Sequence, residues 1–141
     1  MNFTISELLH SDTASKLGIK NIPTDAQTLD NMFYLIVECL QPIREKIGKP
    51  MIITSGYRCL DLNRKLQSKD TSQHARGQAV DFVIKGMSVT DVVKFIRNCG
   101  VTFDQLIEEH GKDSTWVHIS YVHGLNRKEV LKYANGIYTR I

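Results

Sequence analysis

Several kinds of feature are scarce in this chain, and each scarcity removes a class of protein. Only three cysteines occur, Cys39, Cys59 and Cys99, and no two are in CxxC spacing. An odd count without that spacing argues against a disulfide framework and against a cysteine-based zinc site. Cys39 falls within an apolar helical pattern and reads as a small buried hydrophobe. No apolar run approaches the ~18 residues of a membrane span, so membrane insertion is not expected. The opening "MNFTISELLHSD" has no basic region followed by a long apolar one. A secretory signal peptide is therefore not expected, and synthesis in the cytoplasm is. The formal net charge is +3, but the Lys and Arg residues are scattered. No basic stripe interleaved with aromatics marks a nucleic-acid partner. Repeats, low-complexity stretches and linkers are also missing, so residues 1–141 are expected to form one domain. That length buries a core without staples.

What is present reads as helices followed by strands. "SDTASKLG" is a short helix with Ser11 or Asp12 as cap and Gly18 as stop. In the stretch from Thr24 to Gly48, Leu29, Met32, Phe33, Ile36, Val37, Leu40, Ile43 and Ile47 recur at steps of three and four. This predicts a long helix, kinked or split by Pro42. "PMIITSGYR" is a strand running into a turn at Gly56, and "CLDLNRKLQS" a short helix. "QAVDFVIKG" alternates as a strand. "SVTDVVKFIRNCG" is a helix capped by Ser88, with Asp91 three residues on, and ended by Gly100. "FDQLIEE" and "TWVHISYV" are two further strands. Asn135-Gly136 between two β-prone runs signals a hairpin. The fold class is α+β, with N-terminal helices packed on a mostly antiparallel sheet.

The chemistry centres on "SQHARGQAVDF", where His74 and Asp81 lie seven residues apart around Gly77. In one continuous strand their Cα atoms would be about 23 Å apart and on opposite faces. A helix is disfavoured by Gly77 and the β-branched tail. A turn around Arg76-Gly77 followed by a strand brings His74 back beside Asp81. Ala79, Asp81 and Val83 then share one face; Val80, Phe82 and Ile84 share the other. A carboxylate there is costly to bury alone and needs a cation or several donors. Two readings remain open from this stretch: zinc, which both residue types ligate, or a buried ion pair. "TWVHIS" adds His118 in mid-strand, with Trp116 and Ser120 on its face. If Asp81 and His118 lie on facing positions, they and His74 give three ligands. Three ligands with an open fourth position is the arrangement of a catalytic zinc.

The segment "SGYRCLDLNRKLQSKDTSQHARGQAVDF", with "FDQLIEE" and "WVHISY" after it, resembles the zinc D-alanyl-D-alanine carboxypeptidase family of metallopeptidases. Lysostaphin-type endopeptidases and hedgehog signalling domains belong to its wider superfamily. The likeness runs over nearly the whole chain and is nearest to the small members found in bacterial genomes, prophages and phages. It implies one Zn2+ per chain, with His74 and Asp81 of SxHxxGxAxD and His118 of WVHIS as metal ligands. It also implies that Arg58 of SGYR holds a substrate carboxylate or polarises a carbonyl. Ser72 would line the substrate cleft. Several relatives place an acid three residues before the last zinc histidine, where this chain has Thr115. The smaller members instead close the "FDQLIxE" strand with an acid. Glu109 fits that position as the catalytic base, with Glu108 and Asp113 as alternatives.

The resemblance implies a hydrolase acting on peptidoglycan stem peptides, as a carboxypeptidase or an endolysin-like endopeptidase using metal-activated water. The alternative is a non-catalytic zinc-binding module of the same fold, such as a virion or wall-binding component; Thr115 is its main support. A monomer is expected. A wall-acting enzyme without a signal peptide would act after release, by a phage-associated route such as lysis. Four other positions carry plainer expectations: His110 as a solvent-exposed loop residue, His123 outside the metal site, and Trp116 and Tyr57 as packing residues.

Overall fold

Polar caps start each of the first three helices, and the computed structural model describes all of residues 1–141. Thr4 opens α1 (Ile5–Leu9) with a reciprocal capping box to Glu7. Ser11 caps α2 (Asp12–Leu17) by accepting the Ala14 N–H. Asp25 caps α3 (Ala26–Tyr34) by accepting the Thr28 N–H at 2.7 Å. The expected long helix is continuous but changes pitch. Leu35–Leu40 is π-helical and leads into α4 (Gln41–Ile47), with Pro42 in its first turn. Pro42 has no N–H, and its ring crowds the carbonyl four residues back. Widening the preceding turn, so that the Gln41 N–H reaches the Ile36 carbonyl, carries the helix past it without a sharp break.

The apolar positions of this helix divide into two stripes. Met32, Leu35, Ile36, Cys39, Leu40 and Ile43 are buried, whereas Leu29, Phe33 and Val37 are exposed. The latter three recur strictly every fourth residue, a row that drifts around the helix away from the core side.

Six strands form one sheet in the order β1-β2-β4-β3-β5-β6. They are β1 (Ile52–Ser55), β2 (Ala79–Val83), β3 (Gln105–His110), β4 (Thr115–Ser120), β5 (Glu129–Ala134) and β6 (Ile137–Arg140). All neighbours are antiparallel except β3 and β5. Helix α5 (Leu60–Lys65) follows β1, and α6 (Val89–Asn98) connects β2 to β3. Ser88 caps α6 by accepting the Asp91 N–H. Asn135 and Gly136 both have positive φ, +53° and +76°, as the tight β5–β6 hairpin requires.

Alternation along the central strands gives the sheet two different faces. Val80, Phe82, Leu106, Val117 and Ile119 point into the core with Val92, Val93 and Ile96 of α6. Each large side chain so buried contributes roughly 1.5–3 kcal/mol by leaving water. A one-residue slip in β2 or β4 would forfeit that on every residue of the strand. Core packing therefore fixes the register, and the register decides which side chains meet on the opposite face.

Candidate metal centre and its cleft

His74 sits on a 3-10 turn, Gln73–Arg76, held by local caps. The Ser72 hydroxyl oxygen accepts the His74 N–H at 3.2 Å. Gly77 ends the turn at φ +72°, and a Cβ there would lie 2.7 Å from both the Thr28 carbonyl oxygen and Met32 Cγ of α3. Only glycine meets both demands, so the turn lies flat on α3 and reverses directly into β2. Gly56 plays the matching part at the end of β1. A Cβ on it would fall 2.3 Å from the Leu8 carbonyl oxygen, so α1 approaches the SGYR turn backbone to backbone. The two turns are then joined twice. The Arg58 N–H donates to the His74 carbonyl at 3.1 Å. His74 Nδ1 donates to the Gly56 carbonyl at 2.8 Å.

Asp81 and His118 are direct cross-strand partners on β2 and β4. His118 Nδ1 lies 3.1 Å from Asp81 Oδ1, and His74 Nε2 lies 3.3 Å from the same oxygen. One ligand atom from each of the three residues falls within 4.8 Å of the other two. Ligand atoms held at about 2 Å around a tetrahedral zinc are separated by about 3.3 Å, so the donor set and its spacing fit that ion. The tautomer points the same way. Gly56 offers only a carbonyl, so the His74 proton is on Nδ1. In the neutral ring Nε2 then aims a lone pair at the Asp81 carboxylate. Two acceptors facing each other at 3.3 Å need a cation between them or a second proton on the ring. Burial by itself would push the Asp81 carboxyl up. Positive charge at His74, with hydrogen bonds from both histidines and charge at His118, outweighs this and holds the carboxyl well below the usual carboxylate range.

These three residues lie in a cleft of about 1050 Å³. Arg58 lines it, and its Nε is buried without a partner. Burial pulls the Arg58 guanidinium below its ordinary value, while Asp81 opposes that shift. Ser72 is also in the wall, with its oxygen already engaged as the cap of the His74 turn. Glu109 lies on β3 beside Trp116 of β4, on the face that carries His118. Burial raises the Glu109 carboxyl above its usual value; His118 lowers it and Asp81 raises it further. The other two acids are elsewhere. Glu108 points to the opposite face, where its Oε2 meets His110 Nε2 at 2.7 Å and Lys132 Nζ at 3.8 Å. Asp113 is exposed in the β3–β4 turn.

A profile of the family described as Peptidase M15 matches residues 1–120. The chain belongs to the M15 peptidase family. Members of this family are metallopeptidases, and the His74, Asp81 and His118 cluster is a possible metal-binding group in this one. The chain is also similar to the peptidoglycan L,D-endopeptidase MepK of Escherichia coli strain K12, with 37% identity over 51 residues. The MepK of Shigella flexneri matches to the same degree. The aligned stretch is 33% of this chain and 28% of each MepK, so this chain spans less than a third of the curated relatives it matches.

Two groups in and behind the cleft wall of this M15 peptidase escape a reading of the sequence. Tyr133 and Tyr138, from the hairpin beyond the matched residues, stand in the wall past Glu109. Gln73, Asp104 and Arg127 form the second group. The buried Asp104 carboxylate accepts from Gln73 Nε2 at 2.8 Å, and from the Arg127 N–H, Nε and Nη2 at 2.9, 3.0 and 2.7 Å. Gln73 adjoins His74, so this network fixes the far side of the His74 turn. Two expectations are corrected as well. Trp116 lines the cleft and packs on Gly111, where a Cβ would lie 2.7 Å from its ring, instead of joining the core. His110 is the last residue of β3, two-thirds covered and bonded to Glu108, not a free loop residue. His123 stacks on Tyr34 at 3.8 Å, away from the metal group, and Tyr57 is buried.

The Asp104 network carries a pH signature. Burial pushes this carboxyl up, but the Arg127 and Gln73 donors prevail and hold it below the usual range. Its folded value is thus below the unfolded value of ~3.9. The resulting stabilisation is complete above that value and is lost as pH falls through the folded one. Asp104→Asn is expected to cost about 2 kcal/mol, the scale for hydrogen bonds to a charged group with a half-exposed partner, or roughly 6–10 °C in Tm. Melts of both proteins from pH 7 to pH 3 check this. The gap should be constant above about pH 5 and close below it; a gap that widens in acid would contradict the account.

Proposed function

We propose that this chain is a zinc-dependent peptidase that cuts peptidoglycan stem peptides. One observation carries the metal part of that reading: ligand atoms of His74, Asp81 and His118, a donor set that suits zinc, converge to within 4.8 Å of one another. His74, Asp81 and His118 would hold the ion. Zinc so held supplies Lewis acidity, polarising a carbonyl and bringing a water's pKa to about 7. Glu109, desolvated and on the same face, accepts a proton from water and delivers it to the leaving amine. Arg58 lines the cleft, where its guanidinium donates to a substrate carbonyl or carboxylate oxygen. Trp116, the cross-strand neighbour of Glu109, lines the cleft beside it. The position of Glu109 also speaks against the non-catalytic module, since it supplies the acid that Thr115 does not.

The preferred cleavage is internal to the stem. The cleft wall reaches from the metal group to Tyr133 and Tyr138 of the β5–β6 hairpin, which supports contact with substrate on that side of the cut bond, and MepK bears endopeptidase activity in its name. A second reading, removal of a terminal D-Ala, is favoured by Arg58 in the cleft wall as a carboxylate anchor. Purified sacculi and cross-linked muropeptides, digested with the zinc-loaded protein and resolved by mass spectrometry, separate the two. Shortened stems with loss of cross-linked dimers support internal cleavage. Free D-Ala from uncross-linked pentapeptides supports the terminal one. No peptide product from either substrate would refute both.

A further inference from the structure

The cleft face of the sheet carries an uninterrupted row of side chains. Trp116 pairs with Glu109 across β4 and β3, Glu109 with Tyr133 across β3 and β5, and Tyr133 with Tyr138 across β5 and β6. The Tyr133 and Tyr138 rings pack against each other with centroids 4.7 Å apart. Both belong to a hairpin that lies outside the family match of residues 1–120.

A cross-strand aromatic pair also stabilises a hairpin, so a purely structural role is the rival account. Two features weigh against it. The pair is on the cleft face, not the core face. Tyr138 is also 58% exposed, which leaves most of its ring available to something else.

We infer that Tyr133 and Tyr138 form a substrate platform that binds the peptide segment next to the scissile bond through its small apolar side chains. This rests on the peptidase reading of the same site. Adjacent strands are about 4.8 Å apart and an extended peptide advances about 3.3 Å per residue. The rings on β5 and β6 therefore reach positions one to three residues from a bond cut beside Glu109. At that range a stem-peptide substrate presents peptide, not sugar. The chemistry suits methyl groups such as those of alanine: aromatic faces favour C–H contact. The neighbouring Glu109 carboxylate disfavours an acidic segment.

Tyr138→Ala and Tyr138→Phe test the platform, since an exposed position tolerates both. Kinetics on a muropeptide should show KM raised about tenfold by Tyr138→Ala with kcat within twofold of wild type, a change of about 1.4 kcal/mol in binding. Tyr138→Phe should restore KM, because the ring face and not the hydroxyl is the contact. The same loss should appear on the free stem peptide without its disaccharide. It should also appear as a tenfold weaker Kd in Glu109→Gln protein, read by fluorescence of Trp116, the single tryptophan. An unchanged KM in Tyr138→Ala, or a loss confined to the sugar-bearing substrate, overturns the platform while leaving the peptidase reading intact. Wild-type protein that neither cleaves nor binds these substrates overturns both.

Discussion

His118→Ala is expected to fold and to lose its metal. The wild-type protein, loaded with zinc and dialysed against a weak competitor, should retain about one ion per chain, and the variant less than roughly a tenth of that. The expectation follows from where His118 stands. It faces the cleft from β4 while its neighbours Val117 and Ile119 fill the core. Removing the imidazole therefore takes away a donor and little packing. What is left is His74 and Asp81, two ligand atoms 3.3 Å apart, too few to hold zinc against a competitor. Metal content by mass spectrometry, with circular dichroism to confirm the fold, makes the check. A wild type that binds no ion when zinc is supplied would mean that the cluster is a buried ion triad. In that case His118→Ala should instead destabilise the protein, because Asp81 would lose one of its two partners. The two accounts thus predict losses in different measurements on one variant.

Much of this site was legible because strand alternation is a strong constraint. Once Val80, Phe82 and Ile84 are assigned to a core face, Asp81 must point the other way. The same argument turns His118 away from Val117 and Ile119. Periodicity does not give the register between strands 37 residues apart, and the direct Asp81–His118 pairing comes from the fold. Glycines in SGYR and SxHxxGxAxD mark turns in the sequence. Their reason, the close approach of α1 and α3, is tertiary. Nothing local announces that Asp104 gathers donors from residues 31 and 23 positions away.

The misread positions fail for related reasons. The platform tyrosines depend on β5 pairing parallel to β3, whereas hairpin signals point only to the β5–β6 turn. Leu29, Phe33 and Val37 match a helical apolar pattern, but the helix already has a denser stripe that the core takes. A tryptophan among β-branched residues suggests a core, yet Trp116 occupies the cleft phase of β4 and rests on Gly111. Pattern gives the phase of a strand; which phase faces chemistry is settled by what packs on the other side.

Glu109→Gln is expected to lower kcat on muropeptides by about 10²–10⁴-fold, the range for losing a positioned general base, with metal content and Tm close to wild type. The amide keeps the shape of the side chain and its place beside Trp116, but it cannot take a proton from water. Burial matters to the size of the effect. The carboxyl is raised above its ordinary value by desolvation and by Asp81, which makes the ionised group a stronger base than a surface glutamate. The neighbouring acids furnish the contrast. Glu108→Gln removes the charged partner of His110 and Lys132 on the opposite face, so it should lower Tm and spare kcat. Asp113→Asn, in an exposed turn, should change neither. Steady-state kinetics and thermal melts on the three variants make the comparison. Full activity in Glu109→Gln protein with its metal retained would remove Glu109 as the base. With Glu108 turned away and Asp113 outside the cleft, the proton acceptor would then have to come from the substrate or from Asp81 itself, and the proposed division between metal ligand and base would fail.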